Sequence, residues 1–126
     1  GVRIHLNYAH TFGHAFETVS HYAIPHGTAV AMGTVVANRI SLSRGWMEEE
    51  LVRRIEKVLW RIIHVDIASL KVNMDEMIAA IHKDKKQIGK ELTAVLMKKD
   101  MQLEVVHDVT QKEIEEGIQF LLESLK

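Results

Sequence analysis

Two histidines, His10 and His14, stand four residues apart in a segment that no glycine or proline run interrupts. On a helix, positions i and i+4 share a face about 6 Å apart, so both rings can reach one ion or one substrate. Neutral imidazole is a good ligand for zinc and similar metals, and a catalytic zinc usually takes three protein ligands and keeps one position open. The pair supplies at most two of them, and two partly exposed helix histidines are the plainer reading of so short a pattern. His26 adds a third candidate. It follows Pro25, the chain's only proline, and precedes Gly27 and an apolar run, which is a turn leading into a second helix. Such a turn can fold the second helix back on the first and bring His26 opposite His10. His5 and His21 lie in the same stretch, so five of the eight histidines fall between Arg3 and Gly33.

The string Asn7 to Glu17 (NYAHTFGHAFE), then His26-Gly27-Thr28, then Lys83-Asp84-Lys85-Lys86, resembles the C-terminal domain of 3-dehydroquinate synthases and related sugar-phosphate cyclases. Arg3, Asn7 and His10 also follow one another at that family's spacing. The resemblance implies His10 and His26 as zinc (or other divalent metal) ligands. It implies Arg3, Asn7 and His14 as substrate contacts, with His14 near the phosphate and in a proton-transfer role, and a lysine of the later string, Lys85 first and Lys86 second, on a phosphate or carboxylate. Ala9 and Thr28 depart from the family's usual Gly and Glu, and Lys99-Asp100 replaces its Ile-Gly. Thr28, two residues from an implied ligand, leaves the particular substrate open.

The elements that must position these residues read as follows. Helices are expected over about 6–22 and 27–44, the second apolar nearly all round and therefore buried. Gly33 there is expected to admit a close neighbour, and Gly45 to end the helix. From Glu48 to His64 the apolar positions Leu51, Ile55, Val58, Leu59 and Ile62 recur at helical spacing, with Arg53, Arg54, Glu56, Lys57 and Arg61 as a solvated face. Asn73 with Glu76 makes a capping pattern that opens a short helix to about Lys83. The basic cluster that follows, Lys83 to Lys90, reads by composition as a solvated loop, and by the resemblance as an anion clamp. Residues 92–96 and 103–106 read as a β-hairpin, and Thr110 with Glu113 caps a final helix. The expected fold is mainly α: a multihelical domain with one small β-hairpin over residues 1–126.

Bulk properties narrow the function. The chain's 126 residues, 47% hydrophobic, make one domain with a real core. Its 16 basic and 17 acidic residues leave no general field for nucleic acid or an acidic membrane, so anion binding must be local. The absence of cysteine excludes thiolate ligands, a cysteine nucleophile and disulfides. With no long apolar run, a soluble, cytoplasmic protein is expected.

By the resemblance the reaction is that of a lyase of the shikimate pathway, in aromatic amino acid biosynthesis, acting on a phosphorylated sugar acid. A transient oxidation by NAD acidifies a proton, phosphate is eliminated, the ketone is reduced, and the opened ring recloses on carbon. No glycine-rich dinucleotide fingerprint occurs here. The resemblance implies a C-terminal piece whose NAD-binding domain and third zinc ligand, a glutamate before Arg3, lie elsewhere. Unless Glu17, one turn beyond His14, or water completes the site, metal is held weakly. The chain by itself is expected to be inactive and to form a homo-oligomer. Two other classes fit less well: a metal-dependent alcohol or polyol dehydrogenase, and a non-enzymatic metal-binding or assembly module.

Overall fold

Helix α1 runs from Val2 to Val19 and packs Phe12, Ala15, Phe16 and Val19 into the core. The computed structural model describes residues 2–66, 70, 72–88, 94–97, 103–106 and 109–126; the side chains of 2–10, 84–88, 94–97 and 103–106 lie outside that description. The helix ends three residues before the expected Tyr22. The Tyr22 N–H reaches back to the Glu17 carbonyl at 2.8 Å and the His21 N–H to Thr18 at 3.1 Å. This paired closure places its C′ residue in the left-handed region. Here that residue is His21, at φ 54°, followed by Tyr22 at φ 63°. His21 is thus an exposed cap residue.

Helix α2, His26–Ser43, returns antiparallel along α1 and is largely buried. The two backbones touch at Gly13, where a Cβ would lie 2.9 Å from the Ala29 carbonyl oxygen and 3.2 Å from the Val30 Cα. A second close approach is at Gly117, where a Cβ would lie 3.0 Å from Val36 Cγ1. The expected close-packing glycine was Gly33, which is buried. Gly45, at φ 77°, follows the end of α2 as expected.

Helix α3 spans Glu49–Ile62, and here the observed orientation corrects the pattern. Its fully buried residues are Val52 and Glu56, whereas Val58 and Ile62 are 57% and 46% exposed. The reason is Arg39 of α2, which donates two hydrogen bonds to Glu56, Nε to Oε2 at 2.7 Å and Nη2 to Oε1 at 2.6 Å. The same guanidinium lies 3.6 Å from the Phe120 ring centroid. A buried carboxylate needs such a partner, and a bidentate, stacked arginine supplies it.

Helix α4, Met74–Ile88, opens on Asn73, whose Oδ1 accepts the Glu76 N–H at 3.1 Å. It runs past the expected end at Lys83, so Lys85 and Lys86 stand on its last turns and not in a loop. Lysine and glutamine sustain a helix, and basic residues suit its C-terminal dipole. Segments β1, Ala94–Met97, and β2, Leu103–Val106, pair antiparallel with Ala94 opposite Val106. The turn that would join them as a hairpin, 98–102, lies outside the described residues.

Helix α5, Gln111–Ser124, carries the expected capping box in full, with Thr110 Oγ1 accepting the Glu113 N–H and the Glu113 carboxylate accepting the Thr110 N–H. The architecture is mainly helical, with five helices among the described residues. Their core gathers Phe12, Phe16, Met32, Ile40, Met77 and Ile118. Asn38 and Ser41 are also buried on α2, their side chains finding no hydrogen-bond partner among the described residues. None of the described helices is long and apolar enough to cross a membrane.

Candidate functional site

Because α1 is continuous, positions 3, 7, 10, 14 and 17 fall within a sector of about 80° at roughly 100° per residue. This strip lies away from the Phe12, Phe16 and Val19 face that packs into the core. The residues singled out for chemistry therefore occupy one side of a helix and its packing residues the other. Arg3, Asn7 and His10 have their backbone in α1, while their side chains lie outside the described set. His14 is half-buried, and Thr18 Oγ1 donates to its carbonyl at 3.0 Å.

The turn after α1 delivers His26 as the first residue of α2, directly after Pro25. Its Nδ1 stands 3.0 Å from Glu17 Oε1, with the histidine side chain 63% exposed and the glutamate side chain 12% exposed. With Gly13 against Ala29 and Glu17 against His26, the register of the helical pair is set. His26 therefore stands opposite Glu17 along the backbone, and position 10 lies seven residues from Glu17, about 10 Å of helix axis. The position of the His10 ring relative to His26 lies outside the described side chains.

Among the described residues no three metal-binding side chains gather at one point. What the structure does assemble is a histidine held by a carboxylate, with a second histidine three residues before that carboxylate on the same strip. Lys85 and Lys86 are on α4, which packs against α1, but their side chains too lie outside the described set. Lys83 and His82 are exposed. The pairing of Glu17 with His26 was not foreseen, although the spacing of 14 and 17 on one helix face was visible in the sequence.

A helical hairpin with His14, Glu17 and His26 on one side, backed by three further helices, defines a mainly helical domain. Comparison with known proteins sharpens this. The model of the 3-dehydroquinate synthase C-terminal family matches residues 1–87, and the chain belongs to that family. It is 40% identical over 92 residues to the 3-dehydroquinate synthase of Sulfolobus acidocaldarius, covering 68% of this chain and 25% of that one. To the Shewanella loihica 3-dehydroquinate synthase it is 35% identical over 119 residues, covering 94% and 33%.

The chain thus spans about a quarter to a third of the relatives it matches. Among solved structures it superposes on the 2-epi-5-epi-valiolone synthase ValA of Streptomyces hygroscopicus, which has NAD+ and Zn2+ bound. The TM-score there is 0.75 at 23% identity, covering 94% of this chain and 33% of that one. A 2-deoxy-scyllo-inosose synthase superposes with a TM-score of 0.65 at 24% identity, covering 90% and 31%. At such identities these two speak for the fold.

Proposed function

We propose that this chain is the metal- and substrate-binding part of an NAD- and zinc-dependent sugar-phosphate cyclase of the 3-dehydroquinate synthase type, working in aromatic amino acid biosynthesis. The observation that carries the reading is His26 held across the helical pair by Glu17, on the strip that also bears positions 3, 7, 10 and 14. The donors suit zinc: imidazoles without thiolate, one of them already oriented by a carboxylate as metal-ligating histidines commonly are. His10 and His26 would hold the metal, which would supply Lewis acidity toward the substrate, while NAD, bound by residues outside this chain, would supply the redox chemistry.

The remaining roles belong to side chains of this domain. Arg3 and Asn7, on the first turns of α1, orient a phosphorylated sugar acid. His14, between them and Glu17, moves a proton at the phosphate-bearing end. Lys85 and Lys86 act from the end of α4 as point charges on an anionic group. Thr28, in the first turn of α2, is the position at which substrate preference is set apart from relatives with glutamate there. The protein works in the cytoplasm. It assembles as a homo-oligomer through apolar surface such as that exposed at Val58 and Ile62.

Positioning supplies about 7–11 kcal/mol of a typical enzymatic barrier reduction, and this domain holds only part of the site, so by itself it does not turn over. The test is zinc titration of the chain beside His10→Ala, with turnover of a sugar-acid phosphate measured in the presence of NAD and zinc. Zinc affinity falls sharply in the variant if the reading holds, and unchanged affinity removes His10 from the ligand set. Turnover by the chain above the level of the variant would overturn the assignment of the chain as an inactive part.

A further inference from the structure

We infer that Glu17 is a positioning residue, whose carboxylate fixes the His26 ring with its proton on Nδ1 and thereby presents Nε2 as the metal-binding nitrogen. This rests on the metal-site reading above and says how that site is kept in shape. The argument begins with which partner is fixed. Glu17 lies within α1, its carbonyl accepting the Tyr22 N–H at 2.8 Å and the Ser20 hydroxyl at 3.1 Å, and its side chain is 12% exposed. His26 is the first residue of α2 and its side chain is 63% exposed. Packing therefore constrains the carboxylate far more than the ring, and the ring takes its orientation from the contact.

The protonation pattern follows from the partners' chemistry. An ionised carboxylate only accepts hydrogen bonds, so across 3.0 Å the imidazole must donate, which places a proton on Nδ1. A neutral ring then has its lone pair on Nε2, the form in which that nitrogen binds a metal. Side chains on a helix lean toward its N-terminus, so the Glu17 carboxylate inclines toward the His14 turn. The ring it holds is thereby drawn along the strip toward the His14 and His10 positions. A glutamate here is suited to hold the histidine, and two readouts separate this role from that of a direct ligand.

The experiment uses the 126-residue chain as wild type, Glu17→Ala, Glu17→Gln and His26→Ala. In the metal-free chain, ring nitrogen NMR of neutral His26 is expected to report the Nδ1–H tautomer, and Glu17→Ala is expected to lose it. In competition titrations with a zinc chelator, Glu17→Ala should bind zinc about 10- to 100-fold more weakly. Glu17→Gln, whose amide oxygen still accepts the Nδ1 proton, should stay close to wild type, with helicity and thermal midpoint unchanged in both.

If Glu17→Ala leaves tautomer and affinity unchanged while His26→Ala weakens zinc, the positioning role is overturned and the metal site stands. Loss in Glu17→Gln equal to that in Glu17→Ala makes Glu17 a direct ligand and also overturns the inference. Wild-type affinity in His26→Ala fails the metal-site reading itself. Should Glu17→Ala not fold, the tautomer and affinity of Glu17→Gln decide between holder and ligand.

Discussion

Helix α2 meets carboxylates near both of its ends. At its start His26 meets Glu17 at 3.0 Å, with the histidine largely in solvent. Toward its end Arg39 and Arg44 each donate two hydrogen bonds, to Glu56 and Glu113, at 2.6–2.8 Å, with all four side chains less than a fifth exposed. Each guanidinium also stacks on an aromatic ring, Arg39 on Phe120 and Arg44 on Trp46. The buried pairs bind α2 to α3 and α5, whereas the open pair leaves a ring accessible. One kind of contact thus locks neighbouring helices together at one end of the helix and leaves a histidine side chain largely in solvent at the other, and burial decides which.

The sharpest way to break this contrast is Arg39→Ala. Removing one partner of a buried ion pair strands the other charge at a cost of about 3–5 kcal/mol, and the Phe120 contact is lost as well. His26→Ala, at an exposed pair, should cost less than about 1 kcal/mol. Urea unfolding of the two variants checks the difference, and equal costs would erase the distinction between the ends. Replacing Arg39 and Glu56 together by apolar residues of similar size should recover most of the loss, because no charge is then left unpaired.

Next in size is Gly13→Ala. Its new methyl meets backbone, the Ala29 carbonyl oxygen and Val30 Cα, so α1 and α2 must separate, at about 1–3 kcal/mol. Gly117→Ala meets a Val36 methyl at 3.0 Å and the Val36 carbonyl oxygen at 3.3 Å, a milder clash with backbone, and gains about 1 kcal/mol of helix propensity. It should cost less than Gly13→Ala. A similar drop in thermal midpoint for both would show that the rigid part of the domain extends equally over α2's contact with α5.

The smallest expected effect is on acid stability. The hydrogen bonds from Arg44, with help from Thr110 and against the opposing influence of burial, hold the Glu113 carboxyl below its ordinary value of 4.5. The unfolded chain therefore takes up this proton more readily than the folded one. The stabilisation is fully present above pH 4.5 and is lost as pH falls through the folded value beneath it. Arg44→Ala should flatten this part of the stability profile between neutral pH and pH 3, as followed by urea unfolding. An unchanged acid limb would remove the Arg44–Glu113 pair as its source.

Much of the domain was legible in the sequence where the signal is local. The Thr110–Glu113 box, the Asn73 cap and the stop at Gly45 depend on a few neighbouring residues and their backbone geometry. The extent of α4 was not legible, because a lysine run serves a loop or a helix end equally well. The orientation of α3 was misjudged for a different reason. Its stripe of Leu51, Ile55, Val58, Leu59 and Ile62 is the natural inward face of an isolated helix, and Leu51, Ile55 and Leu59 do pack against the core, but Arg39, seventeen residues earlier in the chain, draws Glu56 inward and turns Val58 and Ile62 to solvent.

The candidate site divides along the same line. The order and spacing of Arg3, Asn7, His10, His14 and His26, with the later lysine string, carried the resemblance to the family, and helical periodicity put His10 and His14 on one face; that α1 reaches back to include position 3 was decided by the structure. That His26 is held by Glu17, and stands opposite it, was decided by the tertiary structure alone. The register of two packed helices is set by where their backbones can touch, here at Gly13, and by how tightly the turn through His21 and Tyr22 closes. Neither quantity is carried by the identity or spacing of the histidines.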